Sequence, residues 1–344
     1  MGAGQAVAVY GANGHTGRFV VAELRERGFV PVLSGRDGGK LEALAEETGL
    51  EARPAAADDP AALDRALAGT VAVVNCAGPF AVTAGPLIEA ALRAGIPYLD
   101  VAGEIEASAD AFARYRERAE AAGTVVVPSM AFFGGLGDLL ATAAMGDWTA
   151  ADEVHIAYGL SSWHPTAGTR VAGAVSRERR GERRVRYANG RLEHHEDELP
   201  VLEWRFPEPL GARAVIGEFT MVDVVTVGSH LAVPEVRTYM TVEAARDVAD
   251  PDTRAPAAVD ESGRSAQTFL VDVVVRRGGE ERRAAASGRD IYAVTAPLVV
   301  EAVERILAGR TGALGVVAAG ELFDAPDFLR ALAPHVVSEP APVG

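Results

Sequence analysis

Ala6-Val7-Ala8-Val9-Tyr10 runs directly into Gly11-Ala12-Asn13-Gly14-His15-Thr16-Gly17, and Phe19, Val20, Ala22 and Leu24 follow at helical spacing. An apolar run, a glycine-rich turn and an amphipathic stretch predict a strand, a tight loop and a helix. Glycine at these places permits the turn and lets the backbone approach a pyrophosphate. The helix amino terminus offers unpaired N–H groups and partial positive charge to that anion. A glycine triplet alone says little; between a strand and a helix it marks a dinucleotide site. Gly11, Asn13, Gly14, His15, Thr16 and Gly17 are therefore candidate cofactor residues.

The same alternation continues outward. Strands are predicted at 29–33, 51–54, 71–74, 98–101 and 124–127, with helices at 38–48, 60–68, 84–94 and 106–122. Pro31 hints at an edge or irregularity in the second strand. Strands apolar throughout, alternating with helices, predict a parallel sheet covered on both faces. The fold class is α/β: a Rossmann doubly wound sheet over residues 1–130, followed by a second α+β domain over 131–344. There the texture changes to hairpins. Asn189-Gly190 is a two-residue turn signal inside 185–194, longer strands are predicted at 235–245 and 267–277, and Gly278-Gly279 turns into 281–287. This second sheet is expected to be antiparallel. A helix is predicted at 293–308, a loop at 251–266, and a poorly ordered tail from Pro334.

Ser34-Gly35-Arg36 ends the second strand, where an NAD enzyme usually places an acidic residue for the ribose 2′-hydroxyl. A guanidinium at Arg36 and an ammonium at Lys40 suit a 2′-phosphate instead, which points to NADP(H). Asp37 is adjacent and leaves NAD open. Lys40 is the only lysine, and the formal net charge is −15, so two cations here stand out. That charge argues against nucleic acid and anionic lipid as partners.

Ligands of such sheets bind beyond the carboxyl ends of the strands. Cys76, Ala77, Gly78 and Pro79 are small enough to let the chain pass close to the cofactor. Asp100 and Glu104 bring two carboxylates to the same edge, as candidates for proton transfer or for binding a cationic or imine substrate. The 128–138 segment links the domains and could line a substrate pocket with Phe132 and Phe133. In the second domain His164 is a candidate proton donor and Arg170 a candidate partner for a carboxylate. His194-His195 adds no metal site, because neighbours on a strand face opposite ways. With Cys76 the only cysteine, no internal disulfide and no cysteine-based metal cage is expected.

These motifs resemble the saccharopine dehydrogenase-like family of NADP-binding reductases. The resemblance rests on Gly11 to Gly17, Ser34-Gly35-Arg36, Asn75-Cys76-Ala77-Gly78-Pro79-Phe80 and Tyr98-Leu99-Asp100-Val101-Ala102-Gly103-Glu104, with weaker echoes at Ala167-Gly168-Thr169 and Gly315-Val316-Val317. It covers about the first 140 residues. It implies a second domain on an antiparallel sheet, and carboxy-terminal helices that return to the first domain. It also implies reduction of C=N bonds, as in opine-type and polyamine-type enzymes, or of C=C bonds by enoyl reductases. Members that use a catalytic lysine find no counterpart here, since Lys40 belongs to the cofactor region.

The expected function is an NADPH-dependent oxidoreductase acting on an imine or enoyl bond of a small biosynthetic metabolite. The alternative is a non-catalytic NADP-binding regulatory or sensor protein. Short-chain dehydrogenase chemistry is excluded, because none of Tyr98, Tyr115, Tyr158, Tyr187, Tyr239 or Tyr292 has a lysine four places on. The absence of a long apolar run and of a signal-like start gives the expectation of a cytoplasmic protein, and the second sheet that of a homodimer.

Overall fold

The computed structural model describes residues 4–339. Its first half alternates without interruption: β1 (Ala6–Tyr10), α1 (His15–Glu26), β2 (Val30–Gly35), α2 (Gly38–Thr48), β3 (Ala52–Pro54), α3 (Pro60–Leu67), β4 (Ala72–Asn75), α4 (Phe80–Ala94), β5 (Tyr98–Asp100), α5 (Ile105–Ala121) and β6 (Val125–Val127). An irregular segment, Phe132–Leu136, kinked at Phe133 and Gly134, leads into α6 (Gly137–Met145). The second half contains β7 (Glu153–Leu160), α7 (Ala167–Arg179), β8 (Arg184–Ala188), β9 (Arg191–His195), β10 (Val201–Arg205), β11 (Ala212–Gly217), α8 (Asp223–Thr226), β12 (Glu235–Thr241), α9 (Val242–Ala249), β13 (Thr268–Arg277) and β14 (Glu280–Arg289). It closes with α10 (Thr295–Leu307), β15 (Gly315–Val316), α11 (Ala319–Leu322), α12 (Ala325–Ala331) and β16 (Val336–Glu339).

The first sheet is wholly parallel, in the order β15-β6-β5-β4-β1-β2-β3. Val7, Val9, Val74, Leu99 and Val127 face α1 and α10, while Ala8, Val73, Tyr98 and Val126 face α3, α4 and α5. Burial on both faces is why these strands lack alternation. Pro31 lies inside β2, yet β3 pairs only with Leu33 to Gly35, so the proline sits beside a free stretch of that strand. The helix expected at 84–94 begins a turn earlier, at Phe80, and carries Pro86 inside it.

The second sheet runs β10-β11-β12-β7-β13-β14-β16, with β8 pairing to β12 and β9. It is mixed, not purely antiparallel, because β7 and β12 run parallel. The strand expected to reach 245 stops at Thr241, where Val242-Glu243-Ala244-Ala245-Arg246 turns helical. Val336–Glu339 of the expected tail adds a strand to β14; 340–344, like the first three residues of the expected signal-free start, lie outside the described residues.

The carboxy-terminal part crosses back to the first sheet. The β15 strand extends that sheet beside β6, and α10 lies against α1. Arg27 on α1 donates to Glu301 on α10 at 2.5 Å, and Glu301 also accepts from Arg305 at 2.7 Å. Among the described residues no helix is long and apolar enough to cross a membrane.

Candidate active site

Strand register assembles the site. Tyr10 pairs with Ser34 on one side and Asn75 on the other, and Asn75 pairs with Asp100. The glycine loop, the Arg36 turn, the Cys76–Phe80 turn and the 101–104 turn therefore leave one common edge.

The glycine loop has the shape the sequence predicts. Gly11 takes φ 85°, and its N–H donates to Ser34 O at 2.8 Å. Gly17 packs so tightly that a Cβ there would lie 2.2 Å from Gly11 O. Helix α1 begins behind Gly14 with no side chain capping it. Its first N–H groups are thus left for an anion.

The residues beside the loop sort differently. Arg36 is exposed and makes no ion pair among the described residues. Asp37 caps α2 through the Lys40 N–H at 3.1 Å, and its carboxylate lies 3.2 Å from Lys40 Nζ. That carboxylate is engaged away from a ribose. Ser34 leaves the candidate set, because its hydroxyl is buried and donates to Arg53 O at 2.9 Å. A dinucleotide with a 2′-phosphate fits what remains: an uncapped helix start, a Cβ-free crossing and an unpaired guanidinium.

Asp100 and Glu104 require correction. They are 2% and 3% exposed. Asp100 accepts from Tyr98 Oη at 2.9 Å, Ala102 N at 3.0 Å and Ser129 N at 2.8 Å. Glu104 accepts from Phe80 N at 2.7 Å and Ala81 N at 2.9 Å, which satisfies the start of α4. Burial raises both carboxyl pKa values, while these backbone N–H groups act in the opposite direction. Both side chains are turned inward and hold the turns of the edge together. Burial, with the Asp100 charge adding, pushes the Cys76 thiol pKa up. Ala77 N is held by Asn75 Oδ1 at 3.0 Å, Pro79 is half-buried, and Gly78 is exposed.

The second sheet supplies a wall opposite this edge. His15 sets its ring edge against Phe19 and Tyr292, both at 5.3 Å. Burial lowers its pKa, with the Asp290 charge acting in the opposite direction. Tyr292 Oη receives Trp163 Nε1 at 3.4 Å and lies 3.0 Å from Thr169 Oγ1. Trp163 packs on Phe133, and Phe133 on Tyr158. Phe133 is half-buried within this aromatic cluster, whereas Phe132 is core. Tyr292 was not legible as a site residue; nothing in its local sequence ties it to the glycine loop. His164 is exposed, and its carbonyl accepts from Tyr292 Oη at 3.3 Å. Arg170 is corrected too: its guanidinium donates to the carbonyls of Asp250 and Thr253. His195 is buried and His194 exposed, on opposite faces of β9. Among the described residues no cluster of histidine, cysteine and carboxylate could hold a metal.

Residues 7–127 match the family described as saccharopine dehydrogenase NADP binding domain. The match covers β1 to β6 of the first sheet and the helices between them, about a third of the chain. The domain formed by these residues binds NADP(H). A probable mitochondrial saccharopine dehydrogenase-like oxidoreductase of Arabidopsis thaliana is 31% identical over 140 residues, which is 36% of this chain and 31% of the relative. The saccharopine dehydrogenase-like oxidoreductase of Homo sapiens is 28% identical over 143 residues, 36% of this chain and 33% of that one. The matches thus span about a third of those relatives' length. Apo saccharopine dehydrogenase (L-Glu forming) from Saccharomyces cerevisiae superposes with a TM-score of 0.65 at 12% identity, covering 98% of this chain and 99% of that one. The two chains therefore share a fold over nearly their whole length.

Proposed function

We propose that the chain is an NADPH-dependent oxidoreductase that delivers hydride to a C=N or C=C bond of a small biosynthetic metabolite. In this reading residues 1–130 act as the dinucleotide-binding domain, and 131–344 form the substrate and dimerisation domain. The observation that carries it is the pairing of an uncapped α1 and unpaired Arg36 with an aromatic wall built by the second sheet.

Bound NADPH supplies the hydride. The chain does the rest. The N–H groups of α1 hold the pyrophosphate, and Arg36 with Lys40 holds the 2′-phosphate. The Cys76–Pro79 turn gives the cofactor close passage. Phe133, Trp163 and Tyr292 exclude water and orient the acceptor. His164, alone among the three proton-transfer candidates, is exposed at the rim, and the proton is assigned to it. A cytoplasmic homodimer belongs to the same reading; β10 leaves a sheet edge on which Val201 is 68% exposed.

The test is a fluorescence titration of Trp163 and its fellow tryptophans with NADPH and NADH, repeated on Arg36→Ala. Preference for NADPH that the variant loses supports the 2′-phosphate role; equal affinities overturn it. Loss of NADPH absorbance with a cyclic imine or an enoyl thioester then distinguishes the two acceptors. One observation favours a second reading, a non-catalytic NADP sensor: both edge carboxylates are consumed by backbone N–H groups. Tight binding without turnover of either acceptor class would support it.

A further inference from the structure

Helices of globular proteins are held mainly by an apolar stripe turned to the core. Helix α7 breaks that rule. Of its thirteen residues only Ser176 is buried, whereas the equally long α10 buries ten. Val171, in its first half, is 51% exposed. What holds α7 down is polar. Arg179 reaches Asp110 on α5 at 2.8 Å, and Arg180 lies 3.6 Å from Glu106 on the same helix. Ser176 hydrogen-bonds Glu106, and Arg180 donates to Ser176 at 2.9 Å. Glu106 Oε1 and Arg180 Nε remain buried without a hydrogen-bond partner, so the latch is incompletely satisfied.

Its position gives this weakness a use. Helix α7 crosses the edge directly above the Cys76–Phe80 turn: a Cβ placed on Gly78 would lie 3.5 Å from Ala172 Cβ. At its start, Thr169 and the Thr166 N–H contact Tyr292, the residue that meets His15. At its end the chain turns through Gly181 and Glu182, both at positive φ. A segment with few buried apolar contacts belongs to the low-stability end of a structure, from which active-site covers are drawn.

We propose that α7 is a charge-latched cover over the Cys76–Phe80 turn, and that it lifts to admit or release the cofactor. This rests on the reading that the turn lies against bound NADP(H). Arg179–Asp110 and Arg180–Glu106 hold it closed. Arg179–Asp110 is partly exposed and weak enough to break and remake during turnover, and the more buried Arg180–Glu106 pair is left with unsatisfied polar atoms.

The spacing of Gly78 and Ala172 suits a disulfide. In a Cys76→Ser background, Gly78→Cys with Ala172→Cys can be oxidised to lock the helix and reduced to free it. NADPH association is then followed by stopped-flow fluorescence, oxidised against reduced, within the same protein. The cover predicts association slowed by about tenfold or more in the locked form and restored by reductant. Equal rates overturn it. Hydrogen exchange of the protein without cofactor gives a second readout. The α7 amides should exchange well before the inner amides of α5, and faster still in Arg179→Glu/Arg180→Glu. Protection of α7 equal to that of α5 overturns the proposal, whether or not NADPH binds. Failure of NADPH to bind the unsubstituted protein, with fast α7 exchange retained, would instead count against the cofactor's placement.

Discussion

Asp100 Oδ1 accepts the Ser129 N–H at 2.8 Å and so ties the end of β5 to the turn after β6. Ser129 holds φ 56°, an unfavourable conformation for a side-chain-bearing residue. The carboxylate therefore fixes a strained turn at the junction of the two sheets.

The first prediction follows. Asp100→Ala leaves two N–H groups without an acceptor in the interior and takes the acceptor from the Tyr98 O–H, and should cost about 3 kcal/mol or more of stability. Asp100→Asn keeps an acceptor for both N–H groups and should cost only about 1 kcal/mol. Urea unfolding measures both. Asp100→Asn should also retain NADPH binding and turnover. Abolished turnover with normal stability would return Asp100 to a role in proton transfer.

The glycine loop gives a graded prediction. A Cβ on Gly17 would sit 2.2 Å from Gly11 O, but one on Gly14 would sit 3.1 Å away. Gly17→Ala must push α1 off the loop, and should weaken NADPH binding by about tenfold or more. Gly14→Ala needs a shift of only a few tenths of an ångström and should bind more nearly normally. Fluorescence titration decides, and the reverse ranking would mean that the anion does not sit on α1.

Asp37 offers a cofactor test independent of Arg36. Its carboxylate caps α2 and pairs with Lys40, and these contacts hold its pKa low, the Lys40 N–H most of all. Asp37→Ala should loosen the start of α2 slightly and leave NADPH affinity undiminished. A selective loss of NADH affinity would show Asp37 to be a ribose ligand.

What could be read from the sequence was what depends on local order. Gly11 to Gly17, the apolar runs of β1 to β6 and the Asn189-Gly190 turn each carry their signal within a few residues. The parallel pairing of β7 with β12 joins segments about 80 residues apart, and no local pattern distinguishes it from antiparallel pairing. Helix α7 escaped notice because it buries no stripe to give a period. Asp100 and Glu104 were recognised as edge carboxylates, but their partners are backbone N–H groups, which are identical at every residue. Asp223 gave no signal at all, since its importance arises only from where Tyr158 and Gly134 lie.

That residue supplies the last prediction. Asp223 is wholly buried; Oδ1 accepts from Tyr158 Oη at 2.7 Å and Gly134 N at 3.3 Å, while Oδ2 has no partner. Burial pushes its pKa from 3.8 up to about 6, with the charge of Asp138 adding to the rise. Between those values the folded protein binds a proton that the unfolded chain has released. Stability must therefore fall as pH rises from about 4 to about 6, by about 3 kcal/mol from this group. Asp223→Asn cannot titrate. Its stability relative to the parent should rise across that window and level off above it, a difference from which the other carboxylates largely cancel. Urea unfolding of both proteins at a series of pH values measures it. A difference independent of pH would mean that Asp223 is ionised throughout, with Oδ2 satisfied by a group or water that the side chains around it do not provide.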